Sequence, residues 1–110
     1  MFTMSISEAV SALRATNDDF VSLFKHGTLA VEYYAPHGVD DQTPHSRDEI
    51  YVISTGRGTF TCEGRTSSVG PGSVVFVRAG VAHRFEDFSA DFGTWVFFYG
   101  PDGGESESKA

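Results

Sequence analysis

One histidine and one glutamate stand four residues apart, just before an alternating run that ends at a glycine. They are His45 and Glu49, in the segment TPHSRDEIYVISTG at residues 43–56. Imidazole nitrogen and carboxylate oxygen are both common metal ligands. On an extended strand the two side chains would lie roughly 13 Å apart, too far for ligand bonds of about 2 Å to one ion. On a helix they would converge, but Pro44 and the run IYVIS disfavour a helix. A shared ion therefore requires a bend at residues 46–48, and without it the pair is only a solvated polar corner.

The elements around this pair are predicted to be mostly short strands. Residues 5–14 favour a helix, because Ile6, Val10 and Leu13 share one face and Ser5 or Ser7 can cap it. Glycine-containing turns then recur every 8 to 12 residues up to residue 100, beginning with a turn at His26-Gly27. The runs between the later turns are rich in β-branched and aromatic residues, which favours strands, and they cover residues 50–54, 59–62, 65–69, 73–77, 83–88 and 92–99.

Composition narrows the class of protein. A chain of 110 residues with 40% hydrophobic and 14% aromatic residues forms one folded domain. Eight basic against fifteen acidic side chains give a net charge of −7, so nucleic acid and anionic membranes are not expected partners. The first ten residues lack the charge and apolar core of a signal peptide, and the single cysteine, Cys62, allows no internal disulfide. We therefore expect a cytoplasmic protein.

A longer pattern resembles the two motifs of cupins, Gly-x5-His-x-His-x3/4-Glu-x6-Gly and Gly-x5-Pro-x-Gly-x2-His-x3-Asn. His45 stands at the second histidine position of the first motif, and Glu49 is followed by six residues and then Gly56. In the second half, Gly72, Gly80 and His83 have the spacing of the second motif. The pattern covers residues 38–87, so the chain resembles a small single-domain cupin.

This sequence departs from the cupin pattern at several positions. Thr43 replaces the first histidine, Arg78 replaces the proline, Asp87 replaces the final asparagine, and Gly38 is one residue out of register. The resemblance then implies three metal ligands: His45, Glu49 and His83. Two imidazoles and one carboxylate suit non-haem iron(II), and the same set with water suits catalytic zinc. We expect a divalent metal ion (Fe, Zn, Mn or Ni), with Gln42 or Thr43 as a possible weak fourth ligand.

The resemblance also implies an all-β fold, a cupin jelly-roll β-barrel preceded by a short N-terminal helix or arm. We assign residues 1–28 to that arm, 29–100 to the barrel and 101–110 to a polar, disordered tail.

Side-chain alternation along the strands predicts which residues surround the ion. Tyr51 follows Glu49 on one strand face and Phe85 follows His83. In the last strand, Trp95, Phe97 and Tyr99 share one face, while Val96 and Phe98 share the other, and alternation alone does not choose which set fills the barrel. The candidate substrate contacts are Tyr51, Phe85 and Trp95 or Phe97.

Two arginines flank the expected mouth of the barrel. Arg47 and Arg78 could hold a substrate carboxylate, or could offset nearby acidic side chains on the surface. Both interpretations remain open from the sequence.

The function that we infer from the sequence is a metal-dependent enzyme acting on a small organic molecule in the barrel. Its chemistry would be dioxygenase-like or that of a Lewis-acid isomerase or lyase at a His2Glu site. The alternative is a non-catalytic small-molecule-binding module with a vestigial metal site, which the departures at Thr43 and Arg78 favour. The resemblance further implies a homodimer. The substrate, the reaction and the metal are left open.

Overall fold

The computed structural model describes residues 1–106 and contains one helix and eight strands in that part of the chain. Their bounds are α1 (Ile6–Arg14), β1 (Phe20–His26), β2 (Leu29–Tyr34), β3 (Asp48–Thr55), β4 (Gly58–Cys62), β5 (Arg65–Val69), β6 (Val74–Val77), β7 (His83–Glu86) and β8 (Gly93–Tyr99). The predicted succession of a short helix and short strands is confirmed. None of the helical residues described forms a segment of the length and apolarity that crossing a membrane requires.

Helix α1 begins at a capping box. The Ser5 hydroxyl accepts a hydrogen bond from the Glu8 backbone N–H at 3.1 Å, and the Glu8 carboxylate accepts one from the Ser5 N–H at 2.9 Å. The helix buries Ala9 and Leu13 against Tyr33 of β2. It therefore covers the outer face of the sheet and leaves the inner face free for the core.

The strands form two antiparallel sheets. The larger has the order β1-β2-β8-β3-β6 and the smaller the order β5-β4-β7. Side chains from both sheets meet in one core, which includes Tyr51 and Phe98 from the larger sheet and Phe60 and Phe85 from the smaller. This two-sheet, mostly β architecture agrees with the predicted jelly roll.

The domain limits differ from the sequence prediction at both ends. Strand β1 lies within the predicted arm, yet it pairs with β2 along its length, from Phe20 opposite Tyr34 to His26 opposite Leu29. The arm outside the sheet is therefore residues 1–19.

At the other end, residues 101–106 of the predicted tail hold defined contacts. The Gly103 N–H donates to the Ser46 carbonyl at 2.6 Å, and the Glu105 N–H donates to Asp48 Oδ2 at 2.9 Å. The prediction of disorder is corrected for these residues, because the N–H groups of Gly103 and Glu105 are hydrogen-bonded to the segment that leads into β3 and to its first residue. Residues 107–110 lie outside the described part of the chain.

Candidate metal centre

The bend that the sequence requires between His45 and Glu49 is present. The backbone bends at Ser46 and Arg47 before β3 begins. The His45 carbonyl accepts a hydrogen bond from the Gly80 N–H at 2.7 Å, which ties this segment to the loop before β7. His45 Nε2 and Glu49 Oε2 consequently lie 3.9 Å apart. A four-residue spacing that would separate two ligands on a straight strand brings them together here.

The third ligand candidate comes from the smaller sheet. His83 is the first residue of β7, and its Nδ1 lies 2.7 Å from the Val81 carbonyl oxygen. A proton on Nδ1 would donate to that carbonyl and leave Nε2 free to bind a metal. Nε2 lies 2.9 Å from Glu49 Oε1. The two sheets therefore present their ligands to each other across the core.

The three side chains form a compact cluster that fits a metal ion. One ligand atom from each of His45, Glu49 and His83 lies within 4.8 Å of the others. Glu49 is only 1% exposed, and its Oε2 is the buried side-chain oxygen or nitrogen in residues 1–106 that has no hydrogen-bond partner. An unpartnered buried carboxylate oxygen is costly unless a cation neutralises it. The two histidine nitrogens beside it complete a donor set suited to iron(II) or zinc.

The electrostatics of His83 show the influence of Glu49. Burial lowers the pKa of His83, but the hydrogen bonds that its ring donates to the Glu49 carboxylate and the Val81 carbonyl raise it, as do nearby carboxylate charges. The net pKa lies above its ordinary value. Without a metal, a proton on His83 would therefore balance part of the charge of Glu49. A metal ion and this proton compete for the same nitrogen.

A phenol and an amide border the cluster. The Tyr51 hydroxyl lies 2.9 Å from His83 Nε2 and donates to Gln42 Oε1, also at 2.9 Å. Gln42 Oε1 lies 3.2 Å from His45 Nε2, the same nitrogen that faces Glu49 Oε2. Thr43 lines the adjacent cavity. Burial and neighbouring carboxylates raise the pKa of Tyr51, so its phenol stays protonated.

Sequence reasoning missed Asp40, which holds this loop in place. Asp40 is 3% exposed, and its carboxylate accepts four hydrogen bonds. Oδ1 accepts from the Tyr34 hydroxyl at 2.5 Å and the Gln42 N–H at 3.2 Å, while Oδ2 accepts from Gln42 Nε2 at 2.7 Å and the Phe85 N–H at 2.8 Å. Asp40 thus joins β2, β7 and the loop that carries His45. No local pattern distinguishes it from the exposed Asp41 beside it.

A cavity of about 680 Å³ reaches the cluster at His45. His45 and Tyr51 form part of its wall, and the other lining residues come from four separate segments: Asn17, Asp18, Asp19 and Phe20; Glu32 and Tyr34; Asp41, Gln42 and Thr43; and Val96 and Phe98. This volume suits a small organic molecule.

The structure resolves which face of β8 belongs to the barrel. Val96 and Phe98 join the core shared by the two sheets, and the Phe98 ring lies 4.9 Å from the His45 ring. Trp95 instead packs with Tyr33 beneath α1, and Phe97 shares its outward face. The prediction that Trp95 or Phe97 faces the barrel interior is therefore wrong for this strand, and Val96 and Phe98 line the cavity instead.

Phe85 points inward as expected, but it lies deeper than the cavity. It is 1% exposed and packs against the rings of Tyr51, Phe60 and Phe92. Phe85 therefore supports Tyr51 from behind and does not line the cavity.

The two arginines do not line the cavity either. Arg47 donates a hydrogen bond to the Thr28 carbonyl and lies over the Phe98 ring at 6.0 Å. Arg78 lies 3.6 Å from the Glu63 carboxylate on an exposed surface. The position of Arg78 agrees with the interpretation that it offsets acidic side chains, whereas Arg47 contacts a backbone carbonyl and an aromatic ring. Neither arginine belongs to the cavity wall.

Comparison with known proteins gives concordant results. Residues 30–96 match the family model described as a cupin domain, Cupin_2. A Streptomyces coelicolor protein, the uncharacterised SCO3923, is 37% identical over 98 residues, which are 86% of this chain and 93% of that protein.

Solved structures share the fold. A Cupin 2 conserved barrel domain protein from Salinispora arenicola superposes with a TM-score of 0.67, at 18% identity over 91% of this chain and 89% of that one. KdgF from Halomonas sp. gives a TM-score of 0.63 at 17% identity, over 76% of this chain and 79% of that one. The DMSP lyase DddQ from Ruegeria pomeroyi gives 0.64 at 26% identity over 74% of this chain. That match spans 46% of DddQ, less than half of its length. With two antiparallel sheets, a converging His2Glu cluster and a family match over residues 30–96, the chain belongs to the Cupin_2 family.

Proposed function

We propose that the protein is a metal-dependent enzyme that carries out Lewis-acid lyase or isomerase chemistry on a small organic molecule. The observation that carries this proposal is the buried, unpartnered Glu49 Oε2 beside the nitrogens of His45 and His83. A polar atom left unpaired at this depth is best explained by a cation that binds there. The neighbouring cavity supplies room for a substrate.

The residues of this chain have distinct roles in such a reaction. A divalent ion held by His45, Glu49 and His83 would polarise an oxygen of the substrate. Glu49 supplies the negative charge that retains the ion, and the Val81 carbonyl orients His83 through Nδ1. Tyr51, kept protonated by burial, can donate its hydrogen to a substrate oxygen that arrives beside His83.

The class of reaction is supported by one comparison. The DMSP lyase DddQ is 26% identical to this chain over the part that matches, and its name describes a lyase. Because the match spans 46% of DddQ, the resemblance supports a class of chemistry and leaves the substrate to experiment.

Dioxygenase chemistry is the second candidate, because two histidines and one carboxylate also form the facial set of non-haem iron(II) oxygenases. Oxygen consumption separates the two. A lyase or isomerase converts its substrate in anaerobic solution with zinc, whereas a dioxygenase requires a redox-active metal such as iron and consumes oxygen in proportion to product.

The non-catalytic binding module is a further alternative, favoured by Thr43 in place of a motif histidine. It predicts ligand binding in the cavity without turnover and without any need for a metal.

The first experiment is metal analysis by mass spectrometry on freshly purified protein. We expect about one transition metal per chain in the wild type and in His26→Ala, a control that removes an exposed histidine of the β1–β2 hairpin. His83→Ala should lose the metal. Absence of metal from the wild type after anaerobic reconstitution with iron or zinc, or its retention in His83→Ala, would refute the proposed site.

A further inference from the structure

We propose that the cavity takes a small organic cation, whose positive group is held by Glu32 while an oxygen of the same molecule reaches the metal cluster. This inference names the substrate class and rests on the function proposed above. It is the opposite of the carboxylate grip that the sequence suggested for Arg47 and Arg78.

The charge of the cavity wall is the first argument. Four acidic residues line it, namely Asp18, Asp19, Glu32 and Asp41, and its wall within residues 1–106 contains no lysine or arginine. The Asp19 carboxylate is hydrogen-bonded to His37, whose Nδ1 lies 2.9 Å from it. A concave surface lined by one sign of charge concentrates ligands of the opposite sign.

Of the four acidic residues that line the cavity, Glu32 lies on a strand face that points into the barrel. Residues alternate along β2, and Ala30 and Tyr34 on the same face belong to the core between the sheets. In the register with β8, Glu32 lies opposite Val96, which also lines the cavity. Its carboxylate is therefore placed on an apolar inner wall, where a charged group needs compensation.

That compensation is incomplete within the described chain. The Ser22 hydroxyl donates a hydrogen bond to Glu32 at 3.4 Å, and the ion pairs of residues 1–106 do not include Glu32. Lys25 and Arg47 act on it only at longer range, and burial raises the pKa of its carboxyl. A bound cation would remove this imbalance.

Aromatic rings complete the environment that an organic cation prefers. Phe20, Tyr34 and Phe98 line the same cavity, and Phe20 is 48% exposed. Ring faces attract ammonium groups, including quaternary ones that cannot donate hydrogen bonds. An inorganic ion gains less from these rings, which favours an organic cation.

The position of the metal cluster indicates which group the other end of the ligand carries. His45 and Tyr51 line the cavity, and the buried Glu49 Oε2 without a partner lies 3.9 Å from His45 Nε2. A molecule with a positive group at one end and an oxygen donor at the other would contact both regions. The opposed charges also orient it, because its cationic end is repelled by the metal.

The test compares two molecules of the same shape that differ in charge. Glycine betaine carries a quaternary nitrogen. Its isostere 3,3-dimethylbutanoate, called tert-butylacetate below, has a carbon atom in place of that nitrogen, and both compounds have a carboxylate for the metal. Binding to zinc-loaded protein is measured by calorimetry for the wild type, Glu32→Gln and Glu86→Gln. Glu86 lies on the exposed face of β7, so its variant loses the same charge away from the cavity. Metal content is measured in every sample.

We expect glycine betaine to bind at least about tenfold more tightly than tert-butylacetate in the wild type and Glu86→Gln. In Glu32→Gln the preference should fall towards unity with the metal content unchanged. Equal binding of the two compounds, binding of neither, or an unchanged preference in Glu32→Gln would overturn the inference.

Metal content separates this failure from that of the proposed function. Protein that holds zinc but shows no charge preference refutes the organic cation alone. Protein that holds no metal refutes the proposed chemistry. In that case the affinities of choline and of its uncharged isostere tert-butylethanol are compared, because neither compound has a carboxylate that requires the metal for binding. An absent preference for choline would overturn the inference in that case also.

Discussion

Replacing Asp40 by asparagine should destabilise the protein and weaken metal binding, although Asp40 is not a metal ligand. Each carboxylate oxygen accepts two hydrogen bonds, and each pair includes one backbone N–H, that of Gln42 or of Phe85. An asparagine has only one carbonyl oxygen. Whichever way its amide turns, its NH2 group faces one of these backbone donors, which is then left unpaired.

The magnitude follows from the burial of the site. Asp40 is 3% exposed, so a lost hydrogen bond to its carboxylate is not replaced by water. A hydrogen bond to a charged group contributes about 1.5–3 kcal/mol, and leaving a buried donor unpaired costs about 1–3 kcal/mol. The two costs are partly the same lost hydrogen bond and do not simply add, so we expect a decrease of about 2–4 kcal/mol in the free energy of unfolding. Since Gln42 contacts His45, we also expect weaker metal binding.

Urea unfolding of metal-free protein measures the first effect, and competition with a chelator measures the second. Asp41→Asn is the matched control, because it makes the same change of charge at an exposed neighbour. It should alter the free energy of unfolding by less than about 0.5 kcal/mol. Similar results for the two variants would refute the argument that the Asp40 hydrogen bonds hold the loop that carries His45.

Three further predictions test the site and the fold. Metal affinity should begin to fall above pH 6.5 on acidification, because protons compete with the metal for His83, whose pKa is raised. The loss approaches tenfold per pH unit for each proton displaced. Competition with a chelator across pH measures it, and a fall that begins only below pH 6.5 would contradict the prediction. Gly56→Ala should lower the free energy of unfolding by about 2–4 kcal/mol, because a Cβ there would lie 2.6 Å from the Phe92 Cα atom. Gly64 has a similar positive φ but open space around it, so Gly64→Ala should lower the free energy of unfolding by only about 1 kcal/mol. Equal losses in urea unfolding would exclude the clash at Gly56. Phe98→Ala should weaken the binding of glycine betaine measured by calorimetry, because Phe98 lies on the inner face of β8, while Trp95→Ala should leave it unchanged. The reverse result would place the ligand on the other face of β8.

Much of the fold could be predicted from the sequence because its determinants are local. The serine cap of α1, the glycine turns and the alternation within strands act over a few neighbouring residues, and the predicted strand at residues 65–69 matches β5 at both ends. The spacing of Glu49 to Gly56 likewise reflects one strand and one turn.

The limits of the barrel were harder to predict, since pairing partners lie far apart in the chain. β1 belongs to the sheet because β2 pairs with it, and residues 103–105 are ordered by Ser46 and Asp48, more than fifty positions earlier. No property of these segments alone reveals those partners.

The sequence by itself determined the three candidate ligands, His45, Glu49 and His83, and the kind of fold that would bring them together. Only the tertiary structure decided what surrounds them. Both faces of β8 are apolar because α1 covers one and the core covers the other, so alternation could not choose between Trp95 and Phe98. The acidic wall of the cavity is assembled from distant segments, and Asp40 is distinguished from Asp41 only by donors from other strands. Charge and hydrogen-bond complementarity between remote residues is a property of the folded chain, which is why it could not be read from local sequence.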